Sequence, residues 1–250
     1  MRWSALRTCC VAAAVLACGG RALAQALEPD TPPSDSLSGG TKVDRVLLYA
    51  GFDIWRYGRS AYGGFYWAPE GLNKDGFITR LFVSRSLERY DAGSKRFNTD
   101  IIRAAPLAGW RLSQGTLELK VFAGPELENR VLTPEVPAAE YRGMHVGARV
   151  ASEFWWEPMP DMMLTSAFSA STNATSHSAR AAAGGRVLDR FWAGPEISAS
   201  SDAFSQQVRI GVHLTGFKLD ALEWSVAVGY VADSYHRSGV YGRIGVLTRQ

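Results

Sequence analysis

Residues Gln206 to Tyr230, QQVRIGVHLTGFKLDALEWSVAVGY, decide how the chain is read. Val208, Ile210, Val212 and Leu214 fall on one face, and Gln207, Arg209, His213 and Thr215 on the other. After a short link at Gly216–Asp220, Leu222, Trp224, Val226, Val228 and Tyr230 again share a face, opposed by Glu223, Ser225, Ala227 and Gly229. Apolar residues at every second position are the signature of a strand with one apolar side. Two such runs around a short turn predict a hairpin. The apolar side points either into a soluble core or out into lipid.

Working outward, the same unit recurs from Val46 to Thr248. Alternation and turn residues predict about twelve strands. Glu70–Asp75, Ser113–Gly115, Glu157–Asp161, Leu188–Arg190 and Gly216–Leu219 form short even-numbered links. The odd-numbered links read as more polar, and those at Glu88–Phe97 and around Pro134 and Pro137 as the longest. Leu87–Ala92 and Ala179–Ala183 are the best helical candidates, both short, and Ala179–Ala183 is kept as strand. An even strand count with short turns on one side and longer loops on the other is the pattern of an outer-membrane barrel. The expected fold is therefore an all-β, antiparallel, up-and-down outer-membrane β-barrel. Eight to ten strands, or a soluble β-barrel, are the alternatives.

The first 24 residues read as a signal peptide. Arg2 and Arg7 precede an apolar run, and Ala22-Leu23-Ala24 offers a cleavage site. A lipoprotein signal ending at Cys18 is the rival reading. The apolar run falls short of the ~20 residues of a spanning helix. Residues 25–44, with Pro29, Pro32 and Pro33, form a leader, and 45–250 a single barrel domain. Cys9, Cys10 and Cys18 all lie in the signal, so an exported chain cleaved after Ala24 carries no disulfide. Losing Arg2, Arg7 and Arg21 takes Lys plus Arg from 27 to 24, against 24 acids. The basic balance belongs to the signal, and no nucleic-acid partner follows from it.

The non-apolar faces carry Asp53, Glu118, Glu126, Glu153, Glu196 and Glu223 alongside Arg80, Arg103, Lys120, Arg149, Arg209 and Arg243, with His145 and His213. In a soluble sandwich these would be a solvated face. In a small barrel they would pair across the lumen, since lipid cannot hold them. Trp55, Trp67, Trp110, Trp155, Trp156, Trp192 and Tyr230 lie near strand ends, where an interfacial girdle belongs. Ala123-Gly124-Pro125-Glu126 recurs as Ala193-Gly194-Pro195-Glu196. Proline cannot donate to a ladder, so each copy marks a bulge or strand end that turns its glutamate inward.

Short motifs of Gly, Pro and aromatic residues carry a family resemblance. They include Leu48–Trp55 (LYAGFDIW), Tyr62-Gly63-Gly64 through Trp67-Ala68-Pro69, Gly71-Leu72 with Asp75-Gly76-Phe77, and Pro106–Arg111 (PLAGWR). Val121–Pro125 (VFAGP), Trp192–Glu196 (WAGPE), Asp220–Ser225 (DALEWS) and Ser238–Tyr241 (SGVY) complete the series. Together they resemble the BcsS family of bacterial cellulose-biosynthesis proteins over most of the mature chain. The resemblance implies an exported protein associated with cellulose synthesis and secretion at the outer membrane. It implies no catalytic residue.

No His/Cys cluster has metal-ligand spacing, and there is no G-x-S-x-G and no phosphate loop. Ser176, His177 and Ser178 are adjacent in the chain, but neighbouring strand residues face opposite sides. Trp55, Tyr57, Tyr62 and Trp67 are candidates for stacking on glucan rings, with an interface girdle as the plainer reading. The expectation is a non-enzymatic outer-membrane accessory of cellulose export that needs no cofactor. Its partners would be outer-membrane lipid and, further, the cellulose chain or synthase subunits, met near Phe204 and Tyr235. A lipid- or glycan-modifying barrel enzyme and a soluble periplasmic glucan- or synthase-binding protein are the alternatives.

Overall fold

The computed structural model describes residues 43–92, 95–134 and 141–250. The expected signal peptide, its Cys18 alternative and residues 25–42 of the leader lie outside the described residues. Twelve antiparallel strands run in chain order: β1 (Val46–Trp55), β2 (Gly58–Trp67), β3 (Gly76–Ala92), β4 (Lys95–Gln114), β5 (Leu117–Thr133), β6 (Gly143–Met159), β7 (Met162–Ser171), β8 (Ser176–Val187), β9 (Phe191–Ser201), β10 (Gln206–Leu219), β11 (Leu222–Asp233) and β12 (Ser238–Arg249). Each pairs with its sequence neighbour, and β1 closes on β12 from Leu47 opposite Arg249 to Trp55 opposite Tyr241. Closure leaves no open edge.

The side on which each face lies is settled by exposure. On β10, Ile210 and Val212 are 63% and 57% exposed, while His213 between the strands' inner faces is 4% exposed. Leu48, Phe52, Ile102, Val121, Val150, Val228 and Ile244 likewise face out. The apolar face is therefore the outside of the barrel. β1, with 10 residues, has the length of a tilted membrane strand, ~9–11 residues. An apolar exterior over a charged interior is the arrangement of a lipid-facing barrel.

Several expectations are corrected. Glu88–Phe97 is not a loop, and Leu87–Ala92 is not helical. Glu88 pairs with Thr99 and Tyr90 with Phe97, so β3 and β4 run on as a hairpin past the rest of the barrel rim. The end carrying the odd-numbered links thus owes its height to strand overhang in β3, β4 and β5. The link at 68–75 is longer than expected for a short turn. Its backbone is tied to the residues just before β1, Ala68 N–H donating to Arg45 O and Leu72 N–H to Asp44 O.

The two Gly-Pro-Glu copies lie within β5 and β9, not at bulges or strand ends. In the β4–β5 ladder the pairing stops after Ala104–Leu127 and resumes at Ala108–Ala123 in the same register, which sets Pro106 against Pro125. Both strands lack a donor at that rung, so nothing is gained by a slip and the strand continues. The bulges fall instead at Thr215/Phe217 and Trp156/Met159. The first contains Gly216 at φ +82°, a conformation a side chain would strain. β10 therefore extends to Leu219, and the turn narrows to Asp220–Ala221.

The aromatic girdle is also partial. Trp67, Trp110, Trp156 and Tyr230 are exposed on the outside, whereas Trp55 and Trp192 are buried and Trp155 is half-buried on the inner face. Sequence neighbours Trp155 and Trp156 cannot share a face when successive side chains alternate.

Candidate functional site: a charge-paired lumen and its two mouths

The inward faces of neighbouring strands stack charged and aromatic side chains into two interior clusters. In the first, Arg80 of β3 donates to Glu153 of β6 at 2.8 Å and to the Tyr49 hydroxyl at 3.2 Å. Tyr66 of β2 donates to the same glutamate at 2.6 Å. The Arg80 guanidinium lies 5.3 Å from the Tyr66 ring centre and 5.4 Å from that of Phe82. Glu118 takes Lys120 and Arg111, the latter at 2.6 Å. Beyond Phe82, Arg149 pairs with Glu126, which also accepts from the Ser171 hydroxyl at 2.6 Å.

The second cluster centres on Glu196 of β9. Arg180 of β8 and Arg243 of β12 reach it at 2.5 and 2.6 Å, and Tyr241 at 3.4 Å. Arg209 of β10 pairs with Asp53 of β1, across the seam that closes the barrel. His213 pairs with no acid among the described residues. Its ring lies 3.1 Å from the Ala183 carbonyl and 3.0 Å from the Thr215 hydroxyl. Ala183 faces Pro195 where the β8–β9 ladder is interrupted, so the histidine serves a carbonyl beside a missing rung. Glu223 stands apart near the even-numbered links, 3.9 Å from Arg249.

Charges outside the sequence candidates complete the interior. Glu128 binds Arg103 at 2.6 Å and Arg130 at 3.2 Å, and Arg130 also reaches Asp202 at 3.1 Å. Glu128 and Arg130 share the parity of Glu126. They are hidden from sequence reading once Pro125 is taken to end its strand. Arg180 is hidden in an Ala-rich strand with little alternation. Glu126 and Glu128 are 0% exposed and Glu196 is 3%. A buried carboxylate survives only where cations and hydrogen bonds replace water. Tyr66→Phe should therefore remove one hydrogen bond to Glu153 and lower barrel stability by about 1–3 kcal/mol, measured by urea unfolding in lipid vesicles. An unchanged midpoint would show that water replaces the hydroxyl.

The four stacking candidates do not form one platform. Trp55 is buried against Tyr241, Ala227 and Val231, with Tyr57 beside it. Tyr62 faces inward at mid-barrel under Gly51 and Gly245. Trp67 is on the outside at the opposite end of its hairpin.

Each mouth has a recess. At the odd-numbered links, a cavity of about 140 Å³ is lined by Ser86, Glu88, Arg103, Ser178, Ser200 and Asp202, among others. Phe204 and Tyr235 are exposed at its rim, and the Tyr235 hydroxyl donates to the Phe204 carbonyl at 2.9 Å. Arg130 lies 4.8 Å from the Phe204 ring centre. The neighbouring Tyr141 ring stacks on His145 at 3.9 Å, and burial pushes its hydroxyl pKa up. At the even-numbered links, about 260 Å³ lies between Trp155, Trp192, Arg186, Lys218, Glu223 and Arg249.

Residues 47–250 match the family described as "Cellulose biosynthesis protein BcsS". The chain belongs to the BcsS family. Membership covers all twelve strands but for the first residue of β1, and ties the barrel to cellulose biosynthesis. No curated protein sequence matches the chain. Among solved structures, LpxR from Salmonella typhimurium is 8% identical with a TM-score of 0.50, covering 81% of this chain and 99% of that one. The translocator domain of the autotransporter NalP from Neisseria meningitidis is 13% identical, TM-score 0.48, over 87% and 92%. A KdgM porin is 10% identical, TM-score 0.46, over 81% and 98%. At such identities the likeness to LpxR is one of fold alone. This BcsS-family barrel lines its lumen with the ion pairs described above.

Proposed function

We propose that this BcsS-family chain is a non-enzymatic outer-membrane accessory of cellulose assembly, acting through the odd-link mouth. The observation that carries the reading is the charge-paired lumen. Glu126, Glu128 and Glu196 are buried and clamped by arginines from facing strands. Paired side chains that reach across the interior obstruct the path of a polymer. Glucan therefore meets the rim and does not cross the interior. The continuous outward apolar band favours lipid over a soluble periplasmic protein, which would expose that band to water.

Outer-membrane barrels keep short turns on the periplasmic side, which supports reading the odd-numbered links as the outward end. There Phe204 and Tyr235 offer aromatic surface, and the serine-lined recess offers hydroxyls, the two chemistries that hold sugar rings. Of the earlier stacking candidates, only Tyr57 joins this rim; its ring lies 5.1 Å from the Arg237 guanidinium. Against a hydrolase reading, Ser169 and Ser178 hydroxyls sit 3.0 Å apart and bond each other, and His177, though it borders the recess, has the outward parity of β8.

Two measurements test this. The protein should fractionate with outer membrane and show heat-modifiable gel mobility; recovery in soluble periplasm would overturn the location. Phe204→Ala/Tyr235→Ala should cut cellulose output at least about twofold while the barrel stays folded, since each stacking contact is worth ~1 kcal/mol. Full output from the folded double variant would remove this rim from the mechanism.

A further inference from the structure

The outside of the barrel carries an unevenly placed set of arginines. Arg59 of β2, Arg85 and Arg89 of β3 and Arg96 of β4 are all exposed and have outward parity, just above the apolar band ending at Ile54, Val83 and Ile102. Pairing sets Arg59 opposite Leu87, so Arg85 and Arg89 are its two diagonal neighbours across the β2–β3 ladder. Diagonal positions on adjacent strands are ~7–8 Å apart, within joint reach of long side chains. Arg85 is held by Asp100 through two bonds of 3.0 and 2.6 Å, and Arg96 stands opposite Asp91 in the ladder. Arg59 and Arg89 have no acidic partner among the described residues.

Toward the same end, other strands turn apolar groups outward: Val131 on β5, Val146 on β6, Ile197 on β9, Val208 on β10, Tyr230 on β11 and Val240 on β12. Outward arginines are therefore densest on β2–β4, with Arg142 as a further exposed arginine just before β6. Uncompensated arginine within hydrocarbon is costly, so Arg59 and Arg89 mark the headgroup level. Two guanidiniums at that level, over exposed apolar wall, match an anionic headgroup attached to acyl chains. Guanidinium forks bind phosphate oxygens in paired hydrogen bonds, and each basic residue at a charged membrane surface adds to the attraction.

We propose that Arg59 and Arg89 dock the phosphate of a phosphorylated outer-leaflet glycolipid, whose acyl chains lie along the outward face of β2–β4. Arg85 is the third wall of the site, oriented by Asp100. This rests on the outer-membrane reading above and adds a fixed lipid neighbour on one sector.

The test uses the full mature barrel, refolded in detergent, with lipid A as the probe in native mass spectrometry and vesicle co-sedimentation. Arg59→Gln/Arg89→Gln should bind bis-phosphorylated lipid A about tenfold less than wild type, and wild type should show the same loss toward dephosphorylated lipid A. Both side chains are exposed, so the variant should keep its heat-modifiable mobility. Arg190→Gln/Lys218→Gln, at the far end, should bind as wild type does. Equal binding by wild type and Arg59→Gln/Arg89→Gln would overturn the site. So would displacement of lipid A by inorganic phosphate at equal concentration, which would make it a general anion site. Soluble fractionation of the protein would sink the outer-membrane reading; membrane fractionation with unchanged lipid binding would sink only the docking site.

Discussion

Glu196→Leu is expected to lower barrel stability by about 3 kcal/mol, because it strands two guanidiniums inside the lumen. Glu196 is 3% exposed and is the shared counter-charge of Arg180 and Arg243. Removing one partner of a buried pair leaves a charge that neither water nor protein stabilises. Arg180 keeps 34% side-chain exposure, so water recovers part of the loss and the effect falls at the low end for such clusters. Urea unfolding in vesicles, followed by loss of heat-modifiable mobility, measures it. The triple variant Glu196→Leu/Arg180→Leu/Arg243→Met should regain most of the stability, since apolar groups of similar volume replace a buried ion cluster at little cost. A single variant as stable as wild type, or a triple variant no better than the single, would contradict the clamp.

Gly229→Val is expected to abolish assembly of the folded barrel. Gly229 on β11 pairs with Gly211 on β10, and both lie on the inner face. A Cβ at 229 would sit 2.2 Å from the Ile210 carbonyl oxygen and 2.5 Å from the Gly211 Cα. Both are backbone atoms held in the ladder, so neither can swing aside. A Cβ at 211 would meet the Tyr241 hydroxyl at 2.7 Å, so the ring packs over this glycine floor. Opening the β10–β11 ladder would cost more than about 4 kcal/mol, the range reserved for backbone clashes and lost networks. Gly242→Ala is the matched control, since nothing lies within 4 Å of a Cβ there. Refolded Gly229→Val should show only the unfolded mobility, and Gly242→Ala the wild-type shift. A folded Gly229→Val band would mean that the strands can separate locally.

The hairpin β10–β11 shows how much of this was legible beforehand. Its alternation places Arg209, His213 and Glu223 on one side and Ile210, Val212 and Val226 on the other, with no tertiary information. The same rule hides the extent of β5: a proline in the pattern reads as a stop, and Glu128 and Arg130 are lost with it. Pro125 does not end the strand because Pro106 faces it, and that coincidence is not visible along the chain. Glu88–Phe97 reads as a loop because it is polar, yet its two halves pair rung by rung as an extension of the β3–β4 ladder. The split of the tryptophans follows from parity alone, since Trp155 and Trp156 are neighbours on one strand.

What the chain determines by itself is therefore local: twelve alternating segments and which residues share a face, because side-chain direction reverses at each residue regardless of what surrounds the strand. Which face meets lipid, and which charge meets which, depends on closure. Asp53 and Arg209 are 156 positions apart and meet only because β1 seals against β12. Glu196 draws one arginine from its neighbour β8 and another from β12, three strands away around the wall. Those encounters are set by barrel curvature and strand stagger, which belong to the closed sheet as a whole.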